Sequence, residues 1–108
     1  MPYPPATVNV NAADPSVHPD PINVKRIDLD EGVIWTIPNK THAFTYVTFD
    51  QYADNFHSIV IAENDAGQST LQIDDTIENL GEIKYTLYYI EKSHPMDVLI
   101  IDPKIKNQ

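Results

Sequence analysis

From Ile22 onward, apolar and polar residues alternate with a period of two, and this alternation restricts the chain to β-structure more tightly than any motif does. Ile22 and Val24 alternate with Asn23 and Lys25. Val33 to Ile37 is an apolar run around Trp35. In His42 to Phe49, Phe44, Tyr46 and Thr48 share one face and Ala43, Val47 and Phe49 the other. Phe56 to Glu63, Gln68 to Ile73, Ile83 to Ile90 and Val98 to Ile101 continue the pattern. Turn-forming residues separate these runs at Asp28 to Gly32, Pro38 to Lys40, Asp50 to Asn55 and Asn64 to Gly67, so strands recur roughly every ten residues. Seven or eight short strands predict an all-β fold, an immunoglobulin-like two-sheet β-sandwich. The spacing also predicts a single helical turn between Asp74 and Gly81, with Asp74 or Asp75 as N-cap and Gly81 just past its end.

A chain of 108 residues makes one domain, residues 1–108, with a proline-rich N-terminal segment, residues 1–21, that holds six of the nine prolines. Within that segment Ala6 to Ala12 alternates enough to form a strand, and the flanking prolines assign it to a sheet edge. Acidic residues number 16 against 7 basic ones, a net charge of −9, which argues against nucleic acid as a partner because affinity for a phosphate backbone rests on Lys and Arg. Cysteine is absent, which removes disulfides and thiolate chemistry. His18, His42, His57 and His94 lack metal-ligand spacing, and Asp28, Asp30 and Glu31 lack the glycine and final glutamate of a calcium loop. No metal, cofactor or small-molecule substrate is therefore expected. No apolar run approaches the ~18 residues of a membrane helix, and the start Met-Pro-Tyr-Pro-Pro lacks the features of a signal peptide. The expectation is a cytoplasmic homo-oligomer, joined through N-terminal or edge strands.

Glu82 to Pro103 reads as a hairpin whose polar connection is Glu91 to Asp97. A register with Ile90 facing Met96 sets Tyr88 opposite Val98, Thr86 opposite Ile100, and Lys84 opposite Asp102. Such a pair makes an ordinary cross-strand salt bridge. It also has a chemical reading, because Asp102 precedes Pro103. An aspartate carboxyl can attack its own main-chain carbonyl to form a five-membered anhydride, with the tertiary amide of proline as leaving group. The fold must then orient the groups and protonate the leaving nitrogen. The acyl group is hydrolysed, or captured by Lys84 as an isopeptide bond if burial keeps that amine neutral. Asp14-Pro15 and Asp20-Pro21 share the dipeptide without a lysine fixed opposite. The tail, Pro103 to Gln108, is polar apart from Ile105, so its release need not unfold the domain if Pro103 onward stays paired with the Glu82 end of the neighbouring strand.

Asp14-Pro15-Ser16-Val17, Glu82-Ile83-Lys84-Tyr85-Thr86-Leu87 and Val98-Leu99-Ile100-Ile101-Asp102-Pro103 resemble the small bacterial DP-EP family. That resemblance covers most of the chain. It implies a β-sandwich associated with self-cleavage, of aspartic-type endopeptidase character, and with self-assembly. It further implies scission after Asp102 at the bond to Pro103 and a covalent link from Lys84 to Asp102. The chain contains no Glu-Pro, unlike the pattern in the family's name, and the resemblance supplies no auxiliary catalytic residue.

Overall fold

A computed structural model describes residues 3–10 and 14–108, which form a two-sheet β-sandwich. The described residues contain ten strands: β1 (Pro5–Asn9), β2 (Ser16–His18), β3 (Ile22–Val24), β4 (Gly32–Thr36), β5 (His42–Phe49), β6 (Phe56–Glu63), β7 (Ser69–Asp75), β8 (Gly81–Glu91), β9 (His94–Ile101) and β10 (Lys104–Asn107). One sheet has the order β2-β1-β4-β7-β6 and the other β3-β10-β8-β5, with β9 pairing the far half of β8. Both sheets are mixed, since β1 runs parallel to β4 and β3 parallel to β10.

The period-two alternation explains which residues enter the core. Ser69, Leu71, Ile73 and Asp75 of β7 are buried, as are Ile83, Tyr85, Leu87 and Tyr89 of β8, while their neighbours along each strand are less buried or exposed. These side chains meet Val8, Val33, Trp35, Val47 and Ile105 between the sheets. Each fully buried Leu, Ile or Val contributes about 1.5–3 kcal/mol relative to exposure. Trp35 on β4 and Tyr85 on β8 cross the interface, with ring centroids 5.2 Å apart and the indole Nε1–H donating to the Tyr85 hydroxyl at 2.9 Å.

Three local expectations need correction. Asp74 to Gly81 forms no helical turn: β7 runs on to Asp75, whose Oδ1 accepts the Ile77 N–H at 2.9 Å. Ile77 takes φ 55° and Gly81 φ 103°, so the carboxylate expected to cap a helix holds a tight turn instead. Single 3-10 turns occur at Arg26–Asp28 and Ala53–Asn55. The N-terminal strand is not an edge, because β1 lies between β2 and β4 and buries Ala6 and Val8. Pro5 is tolerated at its first residue, and Asn11 and Ala12 of the expected strand lie outside the described residues. Gly32, read as a turn residue, begins β4 at a close approach to β7, where a Cβ would stand 1.8 Å from the Ile73 carbonyl oxygen.

Asp75 and Asn107 place polar groups in the core. Asn107 Nδ2–H donates to Asp75 Oδ1 at 3.3 Å, while Asp75 Oδ2 and Asn107 Oδ1 have no partner among the described residues. Burial raises the Asp75 carboxyl above its ordinary 3.8, against the opposing hydrogen bonds from Ile77 and Asn107. The native state therefore keeps a proton that the unfolded chain gives up, so this group's contribution to stability falls as pH rises from 3.8 through the folded-state value. Asp75→Asn should remove that dependence and raise the urea midpoint at pH 7, because the new amide can donate to Asn107 Oδ1. An unchanged slope of stability against pH would overturn this account. Tyr85→Phe strands the Trp35 N–H in the core and should cost about 1–3 kcal/mol, read from urea unfolding by fluorescence of the single tryptophan.

Candidate functional site

The site lies on the outer face of β8. Inward alternation of Ile83, Tyr85 and Leu87 turns Lys84 and Thr86 outward. The first part of β8 pairs with β10, Lys104 with Lys84 and Ile105 with Ile83; the later part pairs with β9, Leu87 with Ile101 and Tyr88 with Ile100. One register covers both stretches, so the chain passes from β9 to β10 through Asp102 and Pro103 without slipping. Asp102 is thus level with Thr86, whose Oγ1 donates to Asp102 Oδ1 at 2.7 Å.

This is two residues out of step with the register expected from sequence. Glu91 pairs with His94 around a tight turn, and the register then shifts between Tyr89 and Glu91, where β9 takes up the additional residues. Lys84 consequently faces Lys104 instead of Asp102. Asp102 is a diagonal neighbour of Lys84 on the same face, a relation that ordinarily separates Cα atoms by about 7–8 Å. Among the described residues, the side-chain ion pairs within 4.0 Å are His57–Asp74, Lys92–Glu63 and His94–Glu91, so the expected Lys84–Asp102 salt bridge is not formed. Lys84 is also exposed, not buried within the strand pair as the isopeptide reading expects. Its surroundings are a cavity of about 320 Å³ lined by Asp50, Gln51, Glu82 and Lys84. The Asp50 N–H donates to the Lys84 carbonyl at 3.0 Å, fixing β5 against this part of β8.

Backbone contacts hold the Asp102-Pro103 dipeptide on its C-terminal side. Pro103 is buried and its carbonyl accepts the Tyr85 N–H at 3.1 Å. The next amide, Lys104 N–H, donates to Asp20 Oδ1 at 2.9 Å. Asp102 itself is exposed, open to water. Asp14 is exposed, and one oxygen of the Asp20 carboxylate is engaged by Lys104, so the three Asp-Pro dipeptides occupy different environments. Thr86 and Asp20 were not identified from sequence. Asp20 lies 84 residues from Lys104, and no local pattern couples them.

The tail is integral to the fold, and it pairs with the Glu82 end of β8, Lys106 opposite Glu82. β10 lies between β3 and β8, Ile105 and Asn107 are 0% and 2% exposed, and the Gln108 N–H donates to the Val24 carbonyl at 2.8 Å. Loss of Pro103 to Gln108 would open the core. The histidines remain dispersed: His42 is bonded among Asn39 and Thr41, His57 lies 4.0 Å from Asp74, and His94 lies 3.7 Å from Glu91. No cluster of three or more potential metal ligands occurs among the described residues, and no described helix is long and apolar enough to cross a membrane. Compared with models of known protein families and with curated proteins, the chain matches none.

Proposed function

We propose that the protein processes itself at the Asp102–Pro103 bond, with Lys84 as the amine able to capture the resulting acyl group. The observation that carries this reading is the fixing of both sides of one dipeptide: Thr86 holds the Asp102 carboxylate, and the Tyr85 N–H holds the Pro103 carbonyl. Restricting the two reacting partners is the part of such a reaction that a fold can supply. Thr86 occupies Oδ1, which leaves Oδ2 as the attacking atom. A C–O bond forms from Oδ2 to the main-chain carbon of Asp102, the C–N bond to Pro103 breaks, and the proline nitrogen takes a proton from solvent water at the exposed Asp102 and leaves as a secondary amine. Water then opens the anhydride, adding hydroxyl to the acyl carbon and a proton to the departing oxygen. In the alternative outcome Lys84 Nζ forms an amide at that carbon, the anhydride C–O bond breaks, and the amine loses a proton. Capture requires Lys84 to swing from its cavity along the diagonal to Asp102.

A second reading, a non-enzymatic self-assembling module, is favoured by β9. All its residues but Ile101 are exposed, and Met96, Val98 and Ile100 are 91%, 57% and 54% exposed. An apolar strand of this kind at a sheet margin pairs readily with a second copy. Val98→Lys with Ile100→Lys should then reduce a dimer to monomer by light scattering. A monomer at all concentrations in the unmodified protein would reject the homo-oligomer.

Intact mass under denaturing conditions tests the processing. Aged protein should divide into residues 1–102 and 103–108, and the larger piece should appear partly as a species lighter by one water. Asp102→Asn should stop scission, whereas Lys84→Ala should abolish only the lighter species. Thr86→Val, which frees the Asp102 carboxylate to rotate, should slow scission by roughly tenfold, the rate effect of about 1.4 kcal/mol. Under native conditions the cleaved protein should keep its full mass, because β10 remains between β3 and β8. Equal cleavage at Asp14-Pro15, Asp20-Pro21 and Asp102-Pro103 would reduce the effect to ordinary acid lability.

A further inference from the structure

Asp20 sits immediately before Pro21 and β3, and β3 runs parallel to β10. Its Oδ1 accepts the Lys104 amide at 2.9 Å. That amide lies one residue past Pro103, on the segment that must separate from Asp102 during scission. The preceding carbonyl, that of Pro103, is taken by Tyr85 N–H on the other side. The peptide unit joining Pro103 to Lys104 is thus gripped through its oxygen by β8 and through its nitrogen by Asp20. The negative charge of Asp20 also reaches the Tyr85 phenol, whose pKa is raised first by burial and, against the lowering hydrogen bond from Trp35, further by Asp20.

We infer that Asp20 is the positioning residue of the processing site, a side-chain acceptor that takes the place of a neighbouring strand and holds the leaving segment while the Asp102–Pro103 bond breaks. This rests on the proposed self-processing. The role needs an acceptor oxygen on a side chain of this length and does not need its negative charge. Before Ile22, β3 has not begun, so at Lys104 the ladder bond from that side is supplied by a carboxylate.

The experiment has two independent arms. In the first, hydrogen exchange at the Lys104 amide is measured by NMR in an Asp102→Asn background, which cannot cleave by this route. Protection should be retained in Asp20→Asn, which keeps Oδ1, and fall at least tenfold in Asp20→Ala and Asp20→Ser. In the second arm, scission of the chain with Asp102 intact is followed by denaturing mass. Asp20→Asn should cleave within about threefold of the unsubstituted protein, and Asp20→Ala about ten- to a hundredfold more slowly, the range expected when a reacting group is displaced by about 1 Å. Asp20→Ser serves as the deletion if Asp20→Ala loses its β-sheet circular dichroism. Unsubstituted protein that never cleaves ends the processing reading and this role with it. Cleavage at equal rates in all variants, or loss of cleavage in Asp20→Asn as complete as in Asp20→Ala, overturns the positioning role while leaving self-processing intact.

Discussion

The Trp35–Tyr85 contact is the interaction on which the rest of the sandwich depends. It joins β4 in one sheet to β8 in the other through a buried hydrogen bond of 2.9 Å and a pair of tilted rings. Both polar tips are removed from water, so each requires the other, and the pairing fixes the two sheets in one alignment. Tyr85 has a second role through its backbone, since its N–H holds the Pro103 carbonyl. The residue that ties the sheets together thus also sets the height of the Asp102-Pro103 dipeptide along β8.

The two faces of β8 divide the core from the outward residues around which processing is proposed. Inward residues fill the interior, and a one-residue slip would exchange them with Lys84 and Thr86, a large loss of apolar burial. A two-residue slip preserves the faces and changes only the partners. This explains how an alternation pattern can identify the hairpin and set Lys84 and Asp102 on one face yet assign their pairing wrongly. The deciding information lies in the turn after Glu91, where the chain reverses at His94 and the register then shifts. Residues His94 to Asp97 look like connection because a proline and charges interrupt the apolar run, but they belong to β9.

The strand runs were legible because burial imposes a period of two on each strand separately, but the faces read for His42 to Phe49 were not: a bulge between Phe44 and Tyr46 breaks the period, so Phe44 and Val47 are buried together while Tyr46 is exposed. The parallel placements of β1 and β3 were not legible either, because parallel partners can lie far apart in sequence and leave no local sign. The same applies to Asp20, whose contact with Lys104 spans 84 residues. Thr86 stands close to Lys84 in sequence, but its bond to Asp102 follows only once the register is known. Gly32 illustrates a further limit: its glycine is required by the nearness of Ile73, not by a turn.

Pro103 occupies a place where proline is ordinarily disfavoured, on the path into an interior strand. It stands where the pairing of β8 passes from β9 to β10, and the backbone there is held by two contacts: Tyr85 bonds the Pro103 carbonyl and Asp20 receives the Lys104 amide. These contacts satisfy buried or strand-forming backbone whether or not the bond ever breaks. They also make scission compatible with the fold, since β10 is kept by β3, β8 and the burial of Ile105 and Asn107 after covalent continuity is lost. A cleaved chain would hold a new proline amine beside the carboxylates of Asp102. The consequence of processing would therefore be a change in connectivity within a standing sandwich, and strand exchange would be limited by the opening of its core.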